Sequence, residues 1–389
     1  MSRKLWRVGD EEMAYVKKAI DGGLTGQYTK LFEAQFAEKF QSTYAVAMNS
    51  GTSALHAALA ALGVGPGDEV ITPPLTFAAT TFCVLYVGAI PVFADVDPQT
   101  FNIDPKQIRR LITPKTKAII TVSLYGLSPD MDEIMAIAKE FNLKVLEDNA
   151  QSVLGMYKGK ISGTIGHAAI FSLQRSKHLT TGDGGVVITD DEKTAERVRK
   201  IADLGYIRLT AKPISNENFK NQIQRPDYKR HELIGFNFRI PEVVAAMGIA
   251  QLDKVDMLVE KRVACAKYYH KATAGCAWIS PQVTPSDCVH SYWTYVFKLD
   301  TAKVSWMDFR NKFMSNGGED FYAAWSLTYL EPALQGKSFG QKQKFEPGLC
   351  PVAESLQPAL VQLKTNFEDM DHARQQADIL ARTIKDLSR

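Results

Sequence analysis

Cysteine is scarce in this sequence and shows no paired spacing. The chain has 389 residues and five cysteines, none of which form a CxxC motif, so neither a disulfide framework nor a zinc site is indicated. Excess charge of one sign is also lacking. The formal net charge is only +3, which gives no electrostatic reason to expect nucleic acid as a partner. We therefore expect a cytoplasmic protein with reduced cysteines, no metal and no nucleic-acid partner.

Long uninterrupted apolar runs are also missing. The N-terminal segment is too polar for a secretory signal. The most apolar stretch, 77–94, is interrupted by two threonines, Gly88 and Pro91. We interpret it as a buried helix, a turn and a buried strand, not as a membrane span. No GxGxxG motif follows the first predicted strand, which argues against a dinucleotide-binding Rossmann domain.

Short apolar runs alternate with helical segments from residue 44 onward. Strands are predicted at 44–48, 69–72, 90–94, 117–123, 143–146, 168–173 and 185–189. Such alternation is typical of an α/β fold, in which helices cover both faces of a mostly parallel central sheet. One helical stretch is predicted over 241–274, and strands mix with helices after it. We expect a large domain over 1–250, including the N-terminal helices, and a smaller α+β domain over 251–389.

Three groups of polar residues follow predicted strands, where parallel sheets place their ligand sites. Small and hydroxyl residues at 49–53 lead into a helix and suit an anion, although simple N-capping explains them equally well. Asp148 can pair with a protonated ring nitrogen or serve as a helix cap. Lys177 can be a desolvated nucleophile or a surface lysine. Together they match what pyridoxal phosphate (PLP) needs: an anion cradle, a carboxylate for the ring nitrogen and an amine that captures an aldehyde.

Six longer segments also bear on this prediction. They are NSGTSAL (49–55), GDEVITPPLTFAAT (67–80), DVDPQTFNID (95–104), LEDNAQSVLG (146–155), FSLQRSKHLTTGDGG (171–185) and GFNFRIPEVVAAMGIAQL (235–252). With these segments in this order, the sequence resembles the PLP-dependent sugar aminotransferases of the DegT/DnrJ/EryC1/StrS group. The resemblance implies the fold-type I PLP transferase fold. It also implies pyridoxal 5'-phosphate as cofactor, with pyridoxamine 5'-phosphate as its intermediate form.

The resemblance also implies roles for individual residues. Lys177 matches the lysine that forms the Schiff base and moves the proton, and Asp148 matches the carboxylate at the ring nitrogen. The further cofactor contacts that it implies are Gly51, Thr52 and Ser172 at the phosphate, Phe77 on the ring face, Gln151 beside the ring hydroxyl, and Asn237 reaching the phosphate from the second subunit. A homodimer with shared active sites follows from the Asn237 match. Arg239 and His178 are candidates for substrate contact.

The implied reaction moves an amino group from glutamate or glutamine to a keto-sugar, giving an amino sugar for lipopolysaccharide, O-antigen or a related glycan. The Gln174-Arg175 pair resembles that of relatives acting on cyclitols or on sugars that carry no nucleotide, and the stretches 321–336 and 346–367 are less like the common nucleotide-sugar type. The candidate substrate is therefore 8-oxo-3-deoxy-manno-octulosonate. A nucleotide-linked 3- or 4-keto-6-deoxy sugar is the alternative. Arginines that can bind a sugar carboxylate or phosphate, or form ordinary surface ion pairs, are Arg175, Arg208, Arg225, Arg230 and Arg239.

Two other functions stay open at this point. Related sugar dehydratases carry histidine where this sequence has Lys177, and His178 follows one position later, so the ungapped FSLQRSK segment favours transamination. A regulator that binds PLP without turnover is a different class of protein. The intact set of Asp148, Gln151 and Lys177 argues against it.

Overall fold

A seven-stranded sheet lies at the centre of the structure, a computed structural model that describes residues 6–213 and 220–388. The strands, in chain order, are β1 (Tyr44–Met48), β2 (Glu69–Thr72), β3 (Ile90–Phe93), β4 (Thr116–Val122), β5 (Lys144–Asp148), β6 (Met156–Tyr157), β7 (Lys160–Ile161), β8 (Ala168–Ser172), β9 (Gly185–Thr189), β10 (Ile279–Pro281), β11 (Cys288–Val289), β12 (Thr294–Leu299), β13 (Tyr322–Ala323) and β14 (Leu360–Lys364). The order in the central sheet is β1-β9-β8-β5-β4-β2-β3.

The prediction of a mostly parallel sheet is confirmed, with one exception. β8, β5, β4, β2 and β3 pair in parallel, whereas β9 runs antiparallel to both β8 and β1. The chain between β8 and β9 contains no helix. A parallel neighbour needs a crossover, usually helical, so this shorter connection returns as an antiparallel strand.

Helices cover both faces of the central sheet. The helices of the described residues, in chain order and including those outside the central sheet, are α1 (Asp10–Asp21), α2 (Gln27–Lys39), α3 (Gly51–Ala61), α4 (Ala79–Tyr86), α5 (Pro105–Leu111), α6 (Met131–Glu140), α7 (Glu192–Ala202), α8 (Lys220–Ile223), α9 (Glu242–Asp253), α10 (Val255–Thr273), α11 (Trp306–Ser315), α12 (Pro351–Leu356) and α13 (Met370–Leu387). Alternate residues of β1 point to opposite layers. Val46 and Met48 pack into the core that contains α3 and α7, and Ala45 and Ala47 pack against α2 and α9.

Two smaller sheets accompany the central one. β10, β12, β14 and β13 form an antiparallel four-stranded sheet, and β11, β6 and β7 form a three-stranded one. Side chains of α10, α11 and α13 share a hydrophobic core with the four-stranded sheet. The domain boundary near residue 250 stays a prediction. No helix in the described part of the chain is long and apolar enough to cross a membrane.

Two details of the sequence prediction were wrong. The helix predicted over 241–274 is two helices, because the backbone leaves the helical region at Lys254 (φ −116°, ψ 10°), where the side chain binds Glu12 at 2.5 Å. Glu147 and Asp148, expected after a strand, are the last two residues of β5, where they pair with β4.

Candidate active site

A cavity of about 710 Å³ opens where β5 and β8 end. Seven of the residues predicted for the site line it: Gly51, Thr52, Phe77, Asp148, Gln151, Ser172 and Lys177. These residues span 126 positions of the sequence, from Gly51 to Lys177. They meet because the carboxyl ends of parallel strands share one edge of a sheet.

The start of α3 forms one wall of this cavity. Ser50 caps the helix by accepting a hydrogen bond from the Ser53 amide at 3.0 Å, and Gly51 and Thr52 form the first turn. The free amides and the helix dipole at such a position favour an anion. A Cβ on Gly51 would lie 2.9 Å from the Cβ of Ser172. Glycine is therefore required here for the helix to approach β8 closely.

Asp148 presents a buried carboxylate to the cavity. Its side chain accepts hydrogen bonds from the Thr80 hydroxyl at 2.8 Å and from the Ala150 amide at 3.1 Å. Burial raises the pKa of Asp148, while these two hydrogen bonds and the charge of Lys177 act in the opposite direction. A buried carboxylate held in this way is suited to pair with a cationic group inside the cavity.

Lys177 brings an amine into the same cavity. Burial lowers the pKa of Lys177 to about 8; the Asp148 carboxylate opposes this shift and the Arg262 charge adds to it. The Lys177 Nζ lies 4.3 Å from the ring centroid of Trp293. Near neutral pH a far larger fraction of this amine is therefore neutral than for an ordinary lysine, which favours its action as a nucleophile.

Gln151 and a group of aromatic rings complete the walls. The Tyr125 amide donates to Gln151 Oε1 at 2.8 Å, so the amide nitrogen is the Gln151 atom that can donate to a ligand. Phe77, 55% exposed, makes an edge contact with Trp325 at 5.8 Å between ring centroids, and Trp325 stacks on Trp293 at 5.7 Å. The cavity thus offers an aromatic surface as well as polar groups.

Three predicted site residues lie outside this cavity. His178 is fully buried, and its Nε2 lies 2.9 Å from the Ser291 carbonyl oxygen. The prediction that it contacts substrate does not hold, because its ring has no exposed surface. Arg239 forms an ion pair with Asp203 and does not line the cavity. Asn237 is exposed, as a residue that reaches a second subunit must be.

Of the five arginines considered for an anionic substrate, Arg175 alone lines the cavity. Arg225 pairs with Asp227 at 2.8 Å, and Arg230 donates to the Ile223 carbonyl at 2.9 Å. Arg208 lies over the ring of Tyr206. These contacts match the ordinary surface interactions that were the alternative interpretation.

Sequence reasoning missed several residues of the site. Thr80 could have been found from the sequence, because it ends the 67–80 segment that resembles the family and lies at the start of α4. Trp293, Trp325 and Arg262 gave none, because they lie in the C-terminal half, more than 80 positions from Lys177, and reach the cavity only through the tertiary fold.

Comparison with known proteins extends these observations. The model of the DegT/DnrJ/EryC1/StrS aminotransferase family matches residues 7–380. The chain belongs to this family. It is 38% identical over 301 residues to GDP-perosamine synthase of Caulobacter vibrioides (75% of this chain, 76% of the relative). It is 37% identical over 300 residues to the spore coat polysaccharide biosynthesis protein SpsC of Bacillus subtilis (76% and 75%).

A solved relative has the same fold along almost the whole chain. The aminotransferase from Psychrobacter cryohalolentis superposes with a TM-score of 0.87 at 32% identity, covering 98% of each chain. As a member of the DegT/DnrJ/EryC1/StrS family, the protein is a PLP-dependent sugar aminotransferase. The predicted fold type, cofactor and enzyme class are confirmed.

The residues of the cavity fit this cofactor. The start of α3, where Gly51 leaves no room for a Cβ, suits the phosphate. The buried Asp148 carboxylate suits the protonated ring nitrogen, and the Lys177 amine suits the aldehyde. These three groups line a single cavity.

Proposed function

We propose that this aminotransferase moves an amino group from glutamate or glutamine to the keto group of a nucleotide-linked sugar, in the synthesis of an amino sugar for a surface glycan. The observation that carries the proposal is the presence, in one cavity, of the Lys177 amine and the buried Asp148 carboxylate. The substrate class is supported by the relative named as a GDP-perosamine synthase.

The sugar acid 8-oxo-3-deoxy-manno-octulosonate, favoured from the sequence, finds no support among the relatives. The sequence expectation depended on the Gln174-Arg175 pair and on the 321–336 stretch. Both contribute to the cavity wall, through Arg175, Tyr322 and Trp325, but their presence does not identify a sugar. The nucleotide-linked alternative is therefore preferred here.

Each residue has a defined task in this proposal. The start of α3 binds the phosphate, and Asp148 keeps the ring nitrogen protonated. When bound, PLP supplies the electron sink for the bond that is broken at the donor's α-carbon. The Lys177 Nζ would hold the cofactor through its aldehyde and, once released, would accept the proton from the donor's α-carbon and deliver it to the cofactor. Its neighbour Trp293 helps to exclude water from the amine.

The proposal includes a homodimer in which each subunit completes the other's site. Asn237 is exposed and outside its own cavity. Its neighbours include large exposed apolar side chains, Ile234 at 93% and Phe236 at 41%. Phe236 stacks on Phe238 with a centroid distance of 4.9 Å. Such an exposed apolar group is typical of a surface that another subunit covers.

The first test is an absorption spectrum of the protein with added PLP, before and after excess glutamate. We expect the wild type to show the band of a lysine-linked cofactor and to convert to the pyridoxamine form, and Lys177→Ala to show neither. Lys364→Ala is the matched control, since Lys364 also lines the cavity. Identical spectra for Lys177→Ala and the wild type would refute the role of Lys177.

A second assay addresses the sugar. The pyridoxamine form of the enzyme is mixed with GDP-linked and other nucleotide-linked keto-sugars and, separately, with the free octulosonate. Return of the lysine-linked band with a nucleotide-linked sugar supports the proposal. Return with the octulosonate alone would restore the substrate favoured from the sequence.

A further inference from the structure

Two buried arginines meet at the main chain of Lys177, and one of them, Arg262, also reaches the cavity wall. Arg7, which precedes α1, is 1% exposed, and Arg262, in α10, is 2% exposed. Within residues 6–213 and 220–388, neither guanidinium forms an ion pair with a carboxylate. Burying a charge without a counter-ion is costly. Both arginines therefore need an explanation that packing alone does not provide.

Arg7 binds the main chain of the connection that carries the lysine, residues 173–184, here called the lysine loop. Its guanidinium donates to the carbonyl oxygens of Arg175 at 2.6 Å and His178 at 2.8 Å, and also to that of Lys177. A single planar group thus holds three carbonyls around the residue that bears the reactive amine.

Arg262 binds the same loop from another element. It donates to the carbonyl oxygens of Lys177 at 3.1 Å and Ser176 at 3.2 Å. Its other terminal nitrogen donates to the Trp293 carbonyl at 2.7 Å and to the Thr365 hydroxyl at 3.2 Å. The Trp293 indole in turn donates to the Ser176 carbonyl at 2.9 Å. The loop is therefore tied to the small four-stranded sheet.

The four consecutive carbonyls of 175–178 all accept hydrogen bonds from side chains outside the loop. Amides near Lys177 are bonded within the loop: the Arg175 amide donates to the Gly182 carbonyl at 2.8 Å, and the Lys177 amide donates to the Gln174 carbonyl at 2.9 Å. The main chain at Lys177 is thus held through its carbonyls by side chains outside the loop and through its amides by the loop itself. The Lys177 side chain, in contrast, lies in the open cavity.

The geometry points to Arg7 and Arg262 as positioning residues that hold the main chain under Lys177, so that only its side chain moves during proton transfer. This inference rests on the proposed role of Lys177 in transamination. When the main chain at residue 177 is rigid, the amine at the end of its flexible four-carbon side chain is limited to the short path between cofactor and substrate. Misplacing a reacting group by about 1 Å can cost on the order of 100-fold in rate.

The charge of Arg262 has a second effect on the same amine. Arg262 carries the same sign as a protonated Lys177 and lowers the pKa of Lys177, in addition to the larger effect of burial. Burial also lowers the pKa of Arg7 to about 10, still well above neutral pH. A guanidinium stays protonated in proteins, so the charge of Arg262 disfavours protonation of the Lys177 amine.

Replacement by lysine separates geometry from charge, because lysine keeps the positive charge but loses the planar fork. In Arg7→Lys and Arg262→Lys we expect amide hydrogen exchange across 173–184 to accelerate roughly 10-fold or more in the protein without PLP. Arg199→Lys is the matched control. Arg199 is also largely buried, but it pairs with Glu33 at 2.9 Å, away from the loop. Exchange in the loop should be unchanged in this control.

Arg262→Met removes the charge as well. We expect its rate of PLP capture below neutral pH to fall about 10-fold for each unit by which the pKa of Lys177 rises. Arg262→Lys should keep the pH profile of the wild type, while the maximal rate of the donor half-reaction falls. If Arg262→Met does not fold, the two lysine variants still decide the question by hydrogen exchange.

Unchanged exchange in the lysine loop of both lysine variants would overturn this inference. So would acceleration spread over the whole chain to the same extent, because that pattern indicates a merely structural role. The exchange measurement needs no cofactor and no turnover. A failure of the proposed function, seen as a Lys177→Ala protein that binds PLP like the wild type, is thus distinguishable from a failure of this inference.

Discussion

The amine of Lys177 is the group in the cavity whose reactivity depends most directly on pH. Its neutral form attacks the aldehyde of PLP, and burial lowers its pKa to about 8. The rate at which the protein without cofactor captures PLP should therefore rise about 10-fold per pH unit below about 8 and level off above it. Stopped-flow absorbance measures this rate. A rise that continues to the ordinary lysine pKa near 10.4 would contradict the lowered value.

Asp148 should affect catalysis more than cofactor capture. Asp148→Asn removes the negative charge but keeps a side chain of similar shape beside Thr80. We expect PLP to bind and link to Lys177, while the donor half-reaction slows by roughly 100-fold or more, as is typical when one electrostatic contact to the transition state is lost. Single-turnover kinetics with glutamate measure the effect. A variant as fast as the wild type would refute the pairing of Asp148 with the ring nitrogen.

Space, not backbone conformation, makes Gly51 necessary. Its φ lies outside the left-handed region, yet an added Cβ would come within 2.9 Å of the Ser172 Cβ. Gly51→Ala should force α3 away from β8 and weaken PLP binding by about 10-fold or more, because the phosphate contacts depend on that approach. Gly65→Ala is the control, since nothing lies within 4 Å of a Cβ there. Equal PLP affinity in both variants would argue against a cradle at α3.

At the scale of elements, local signals predict strands better than they predict helix breaks. β2 and β9 match their predicted bounds because their apolar, β-branched residues lie between turn residues. The break at Lys254 was missed because nothing in the local sequence stops a helix there. It depends on Glu12, 242 positions earlier. The hydrogen bonds of Arg7 to the lysine loop, about 170 positions away, were unpredictable for the same reason.

The segment from 321 to 327 brings two aromatic side chains, Tyr322 and Trp325, to the cavity wall. Trp325 lines the cavity and contacts Phe77, Trp293 and Tyr125. Its indole is an apolar surface on which a sugar ring can pack. Trp325→Ala should raise the KM for the keto-sugar by about 10-fold and leave the donor half-reaction nearly unchanged. The two half-reactions are measured separately, so equal losses in both would indicate general damage to the cavity.

At the scale of the whole molecule, the cavity joins two sheets. Asp148 and Ser172 come from the central sheet, while Tyr322 and Gln362 come from the four-stranded one. The residues of the central sheet could be predicted from sequence, because PLP requires an anion cradle, a carboxylate and an amine, and candidates for all three follow predicted strands. The other side could not, because its residues lie far along the chain and reach the cavity only through the tertiary fold.

The proposed homodimer gives the last prediction. If Asn237 of one subunit serves the cavity of the other, Lys177→Ala and Asn237→Ala impair different halves of a shared site. A hybrid dimer then has one cavity with Lys177 intact and Asn237 supplied by the Lys177→Ala subunit. Random reassociation makes about half of the dimers hybrids with one intact site each, so a mixture of the two variants should regain about a quarter of wild-type activity.

The measurement is turnover after the two purified variants are dissociated, mixed and reassociated, with each variant alone as the baseline. Recovery requires that Asn237→Ala alone is strongly impaired. If it is as active as the wild type, Asn237 has no role in the site. If it is impaired but mixing restores nothing, each subunit builds its site alone. In that case the exposed side chains of Ile234 and Phe236 must be covered by a partner other than the subunit that completes the site.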